Sequence, residues 1–264
     1  MLPEIVPLTL AREELVYIMR ALTLESLPSL APPLLAPMSP EAEAVAMAVV
    51  DRTLQARELV VWQSVSERVL AAGVVGIIQR FAQPRACVRL ELHQRDLSPF
   101  VILFVVAEQG IIGHWPTEPG VHHFLAFPDW ASLSVYLRAI MSFDATIQGP
   151  QEQVRVAGDL VNKVLRATPD DARNLLAPHM AVPLALALAA TLTQPVQRAD
   201  IAAFPGDPAN HVAQKAFTLF AGKGGVWQMR PLDEEGTWLE ARGITAEGAY
   251  ALLRPLFTVS APVS

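Results

Sequence analysis

Residues 81–106 read FAQPRACVRLELHQRDLSPFVILFVV, and within this stretch the spacing of apolar residues changes from helical to extended. Phe81-Ala82-Gln83-Pro84 stops a helical pattern, because proline has no backbone N–H and its ring clashes with the preceding turn. Val88, Leu90 and Leu92 then alternate with Arg89, Glu91 and His93, which predicts a half-exposed strand, and the unbroken β-branched and aromatic run over 100–106 predicts a central one. Glu108-Gln109-Gly110 marks a turn, residues 111–115 a third strand and 121–127 a fourth. The four strands predict a meander. A helix over 130–141, capped by Asp129 and with Leu133, Leu137, Ile140 and Met141 on one face, closes it.

Working upstream, Thr9 is placed to cap a helix over 10–22, whose Leu15, Ile18, Met19 and Leu22 share a face. Residues 27–37 hold four prolines, which excludes regular helix or central strand there. Ser39-Pro40-Glu41 puts a capping oxygen, a first-turn proline and an acid ahead of an Ala-rich helix reaching about residue 59. A second helix is expected over 65–81.

Downstream the order of breakers returns. A helix is expected over 151–166, a restart at Thr168-Pro169-Asp170-Asp171, and a helix over 182–192 that stops at Gln194-Pro195, 111 positions after Gln83-Pro84. A strand over 217–221, the turn Gly222-Lys223-Gly224-Gly225 and a strand over 226–230 follow, with Gly225 and Pro231 lying 115 positions after Gly110 and Pro116. Thr245, which starts the last helix, lies 116 positions after Asp129. Punctuation that agrees across two halves predicts an internal duplication. The expectation is an α+β protein of two halves, 1–145 and 146–264, each with helices, an antiparallel meander and a closing helix. In that reading the halves pack as one compact unit about a pseudo-twofold axis, with the sheets joined centrally and helical bundles at the flanks.

With 264 residues, 52% of them hydrophobic and 17% charged, the chain has ample material for a core. Its mean hydropathy of +0.32 is carried by apolar stretches such as 69–78 and 181–192, both shorter than the ~18 to 20 residues that span a bilayer. A formal net charge of −6, with three lysines among the 20 basic residues, argues against binding nucleic acid. The one cysteine, Cys87, forms no intrachain disulfide, and the absence of a C-x-x-C pair removes the usual zinc signature. Glu4, Arg12, Glu13 and Glu14 stand where a signal peptide would carry a basic region and an apolar block. The expected location is cytoplasmic.

Each candidate for chemistry has a plainer structural explanation. His114, His122 and His123 form the one local histidine cluster, but neighbours on a strand point to opposite faces, so at most one of the pair joins His114, and two ligands do not hold a metal. Gly222-Lys223-Gly224-Gly225 lacks the spacing, the hydroxyl and the following helix of a phosphate loop and reads as a hairpin turn. Cys87 has no histidine and acid beside it, and no Gly-x-Ser-x-Gly elbow occurs. Asp170-Asp171 suits a helix start and Asp233-Glu234-Glu235 a turn. The segment 65–81, tested as a DNA-recognition helix, offers Arg68 and Arg80 as its cations on a mainly apolar surface. No catalytic, cofactor-binding or metal residues are expected, and therefore no enzyme.

The order of elements resembles the EspG-like proteins associated with ESX, or type VII, secretion. The resemblance rests on the N-terminal amphipathic helix with Leu27-Pro28 behind it, the Ala-rich helix ending Ala56-Arg57-Glu58-Leu59-Val60, the step Phe81-Ala82-Gln83-Pro84, and the repeated meander with its closing helix. It implies a non-enzymatic cytoplasmic chaperone whose central sheet and C-terminal helical region bind helical secretion substrates. Two departures stand out. Members of the family often carry Arg-Gly where Arg57-Glu58 stands here, and a longer loop in place of the tight turn Glu108-Gln109-Gly110. The alternative class is a small-ligand or regulatory, DNA-associated binding protein that uses a groove between the halves.

A partner surface is expected on the helix 182–192. Leu184, Leu186, Leu188 and Leu192 stand among alanines, and a helix that is apolar all round must be covered on every side. Its cover is either the protein's own helices, a helical partner, or a second copy of the chain.

Overall fold

Helices begin where capping residues are written. In the computed structural model, which describes residues 7–30, 34–65, 67–95, 97–118, 120–141, 143–144, 146–147 and 149–258, Ser39 accepts the Ala42 N–H at 3.3 Å. Thr168 accepts the Asp171 N–H at 3.3 Å and Thr245 the Gly248 N–H at 2.9 Å. Each satisfies a donor that the first turn of a helix leaves open.

The first half of the chain runs β1 (Leu8–Ala11), α1 (Arg12–Ala21), α2 (Pro40–Ala56), β2 (Val60–Trp62), β3 (Arg68–Leu70), α3 (Ala72–Ala82), β4 (Ala86–Gln94), β5 (Phe100–Ala107), β6 (Gly110–Glu118), β7 (Val121–Phe127) and α4 (Trp130–Met141). The second runs β8 (Gln153–Ala157), α5 (Gly158–Val164), α6 (Pro169–Leu176), α7 (Val182–Leu192), β9 (Gln197–Phe204), β10 (Lys215–Gly222), β11 (Gly225–Pro231), β12 (Trp238–Ile244) and α8 (Ala246–Phe257). The fold class is α+β with antiparallel strand pairing. Apart from the β2–β3 hairpin, the two halves have the same order of elements, and their strands pair in matching order, β1-β7-β6-β5-β4 and β8-β12-β11-β10-β9.

Tertiary contacts group the chain into two compact units that interleave these halves: residues 1–87, 103–129 and 205–212, and residues 88–102, 130–204 and 213–264. In the first unit, α1 packs on α2 and α3 on β6. Leu10, Leu15, Ile18, Leu54, Ile78, Phe81, Phe104 and Phe124 are buried there. In the second unit β4 neighbours β9, and α7 lies on β10 and β11. Its core joins Val156, Val161, Leu176, Leu184, Leu188, Leu192, Phe220, Trp227 and Met229.

Several expectations are corrected. Thr9 does not cap a helix: it lies in β1, paired with His123 of β7, and the helix starts after Ala11, whose N–H donates to Glu14 Oε2 at 2.9 Å. The segment 65–81 is not one helix, because its first part is the hairpin strand β3 and only Ala72 onward is helical. Likewise 151–166 divides into β8 and α5, Val154 and Val156 alternating with polar residues along the strand. Strands β9 and β12 add to the pattern expected from the sequence. Within the proline-rich stretch 27–37, residues 31–33 lie outside the described residues, as does Glu4 of the N-terminal reading.

Candidate functional site

Alternation along β4 and β9 sets the polar half of the candidate site. Side chains two apart on a strand share a face, so Arg89, Glu91 and His93 line up on β4 and Arg198 and Asp200 on β9. Arg89 Nη2 donates to Glu91 Oε2 at 2.8 Å, and Arg198 Nη2 lies 2.8 Å from Asp200 Oδ2. From β10, Thr218 Oγ1 donates to Asp200 Oδ1 at 2.6 Å. His93 Nε2 lies between the two strands, 3.2 Å from Glu91 Oε1 and 3.3 Å from Asp200 Oδ2, without hydrogen-bond geometry to either.

Beside this lattice the same sheet face turns apolar. Val161 and Leu165 from α5 and the residue after it, Phe220 from β10, Met229 from β11 and Leu239 from β12 wall an open groove of ≈ 370 Å³ whose polar rim is Arg89, Glu91, Arg198, Asp200 and Thr218. The Arg198 guanidinium lies over the Phe220 ring, 5.7 Å from its centroid, where cation and ring attract. All of this belongs to the second unit.

Thr218 donates directly to the Asp200 carboxylate, and His93 lies on the far side of that carboxylate, so the hydroxyl–imidazole–carboxylate order of a nucleophilic triad is not the one found here. Among the described residues, no group of three or more His, Cys, Asp and Glu side chains is placed to hold a metal.

The other candidates have structural roles. His114 Nε2 and His122 Nδ1 are 3.1 Å apart with their rings stacked, while His123 is on the other side, its Nδ1 2.9 Å from Thr9 Oγ1 and its Nε2 2.8 Å from Thr117 Oγ1. The division of the histidines between faces follows the strand period. The turn 222–225 is a packing element: a Cβ on Gly224 would fall 1.8 Å from the Ala187 carbonyl oxygen in α7, a position only glycine can occupy. Cys87 is buried, and burial first, then the charge of Asp207, pushes its thiol up to about 12, which leaves it unreactive. Asp171 accepts from the Thr168 hydroxyl at 2.7 Å, and Asp233 Oδ1 accepts the Thr237 N–H at 2.7 Å. Arg68 pairs with Asp51 and Arg80 donates to the carbonyls of Gly76 and Gln109, so the segment weighed as a DNA reader spends its cations inside the protein.

On α7 the four leucines separate. Leu184, Leu188 and Leu192 are buried in the second unit's own core, against Phe220 and Trp227 among others, while Leu186 is 46% exposed. The protein's own elements cover most of that helix, and reasoning from the sequence did not single out the groove residues. Their signal was the alternation of Arg89, Glu91 and His93.

No protein-family profile matches the chain, and no curated protein matches it in sequence. Among solved structures, the chain is similar to the Mycobacterium tuberculosis type VII secretion system chaperone EspG5, solved in complex with a PE25–PPE41 dimer. The TM-score is 0.61 at 14% identity, over 93% of this chain and 94% of EspG5. The chain has the EspG5 fold. The resemblance in the order of elements is therefore matched in three dimensions, along almost the full length of both proteins. Among the described residues, no helix is long and apolar enough to cross a membrane.

Proposed function

We propose that this protein is a cytoplasmic, non-enzymatic chaperone that holds a helical protein partner, a secretion substrate, in the groove of the second unit. The observation that carries the reading is the fold shared with EspG5 across 93% of this chain, since EspG5 was solved holding a protein dimer. The groove supports it. Its apolar wall of Leu165, Phe220, Met229 and Leu239 suits the apolar end of an amphipathic helix, and its rim of fixed ion pairs offers both signs of charge to orient it. A chaperone needs such a surface and needs no poised acid or base.

The test is affinity capture of the tagged full-length chain from its native cytoplasm, read by mass spectrometry beside an Ala216→Arg variant. Ala216 lines the groove from an exposed position, so the variant blocks the groove without entering the core. The expected result is a helical secreted protein captured by the parent chain and lost by the variant at unchanged melting temperature. Capture that the variant leaves intact, or a small molecule retained in place of a protein, overturns the reading.

A further inference from the structure

The long helix α2 has 17 residues and buries two of them, Val50 and Leu54. Its inward flanks are already paired, Glu43 with Arg20 and Asp51 with Arg68. The opposite side carries an exposed stripe at helical spacing, Glu41, Val45, Ala48 and Arg52, with Val49 beside it. Val45 is 66% and Val49 58% exposed. The middle of the stripe is thus bare of charge, while its ends bear opposite charges. A backbone N–H and the Ser39 hydroxyl hold the Glu41 carboxyl below its usual range, which keeps it ionised. Among the described residues, Arg52 has no ion-pair partner.

A stripe with an acid at one end and a base at the other is complementary to itself when it is run backwards. We propose that α2 is a self-association surface on which a second copy of this chain packs its own α2 antiparallel. The pairing centres between Ala46 and Met47. It sets Glu41 against Arg52 of the second copy twice over, and Val45 against Ala48 of that copy. Alanine on the seam lets the two helices approach closely, and the valines fill the space between them. Parallel pairing would set like charges together at both ends and is disfavoured. The seam from Glu41 to Arg52 is about 17 Å long, so the interface is small and the dimer weak, in the range of transient assemblies.

Sedimentation equilibrium on the full chain, carried up to a few hundred micromolar, tests this. The parent chain should form dimers reversibly. Arg52→Glu and Glu41→Arg should each weaken dimerisation about tenfold, because each turns both attractive pairs repulsive. Mixing the two variants should restore it as a heterodimer, since the arginine introduced at position 41 of one chain then meets the glutamate introduced at position 52 of the other; Val45→Asp should abolish it in any mixture. Circular dichroism verifies that each variant keeps its helices. A parent chain that stays monomeric over the whole range overturns the proposal, as does a dimer insensitive to Arg52→Glu or a mixture that associates no better than its components.

Discussion

Arg57, where α2 ends, places Nη1 2.7 Å from Oε1 and 2.6 Å from Oε2 of Glu14, a buried carboxylate in the first turn of α1. Its other nitrogen, Nη2, donates to the Thr9 carbonyl in β1, and Glu14 itself accepts the Ala11 N–H that opens α1. One guanidinium therefore ties α2, α1 and β1 together. Removing it strands a buried charge, which is far costlier than losing a surface pair. Arg57→Ala should destabilise by about 2 to 3 kcal/mol, less than the ~3 to 5 kcal/mol of a fully buried pair because the arginine is partly exposed. Arg57→Lys should recover only part of this, since an ammonium lacks the planar fork. Urea unfolding of the three proteins measures both effects.

The residue after Arg57 occupies a position that suits glycine. Glu58 has φ 58°, the left-handed region where glycine is at ease and other residues are strained. Around it the Leu59 N–H reaches the Leu54 carbonyl at 2.9 Å and the Glu58 N–H the Gln55 carbonyl at 3.0 Å, the paired bonds that finish a helix by a left-handed residue. Thr23 closes α1 in the same way at φ 56°, with Leu24 bonded to Met19 at 2.8 Å. A glycine is what this geometry asks for. Glu58→Gly and Thr23→Gly should each raise stability by about 0.5 to 1 kcal/mol, with the larger gain at Thr23, whose branched Cβ fits the left-handed region worst. Denaturant midpoints that fall in both variants would count against this account.

What was legible in the sequence followed how local the physics is. The starts of α2, α6 and α8 could be read because a capping Ser or Thr acts on residues two or three positions away. The strands β4 to β7 could be read because their alternation or continuous apolar content is strong. Strands β1 and β8 were missed because each runs into a helix within a single residue, and Val154 and Val156 also fit the helical pattern drawn over 151–166. Strand β9 was missed because alanines, at Ala199 and Ala203, give alternation little hydrophobic contrast. Of the candidate site, only the alternation of Arg89, Glu91 and His93 along β4 was legible, because Arg198 and Asp200 lie on β9, which was missed. The meeting of the two strands at His93 depends on β4 lying beside β9, and no local pattern records the order of strands in a sheet.

Stability should fall in mild acid through the histidine pair. The His114 ring lies 5.2 Å from Phe81 and 4.8 Å from Phe124, centroid to centroid. Burial, and then its neighbours His122 and His123, lower its pKa from 6.5 to about 3. The folded protein therefore holds a neutral imidazole where the unfolded chain takes up a proton. Between pH 6.5 and about 3 the unfolded state binds the extra proton, so the contribution is whole above pH 6.5 and erodes as pH falls. About 2 kcal/mol should be lost by pH 5. His122, lowered by burial and by the charge of Arg12, adds a loss of the same sign. Replacing His114 by Phe should flatten the dependence, which urea midpoints compared at neutral pH and near pH 5 would reveal; an unchanged slope would place the acid sensitivity elsewhere.

Helix α7 carries a buried and an exposed leucine two residues apart. Leu188 is fully buried in the second unit's core, whereas Leu186 and Val182 face solvent, 46% and 60% exposed. Leu188→Ala opens a cavity in a packed interior and should cost about 2 to 5 kcal/mol. Leu186→Ala removes a side chain that water already reaches, so its effect should stay within about 0.5 kcal/mol. The partner role expected of this helix now rests on its outward residues alone, since a side chain sealed in the core cannot touch another protein without unfolding its own. Leu186→Asp makes the distinction sharp, because a carboxylate is harmless in water and costly against an apolar partner. If α7 takes part in holding a partner, this variant should capture less of it from a lysate of the native cells while melting at the parent temperature. Full capture by Leu186→Asp would remove α7 from the binding surface and leave it with a purely internal role, that of packing the sheet behind the groove.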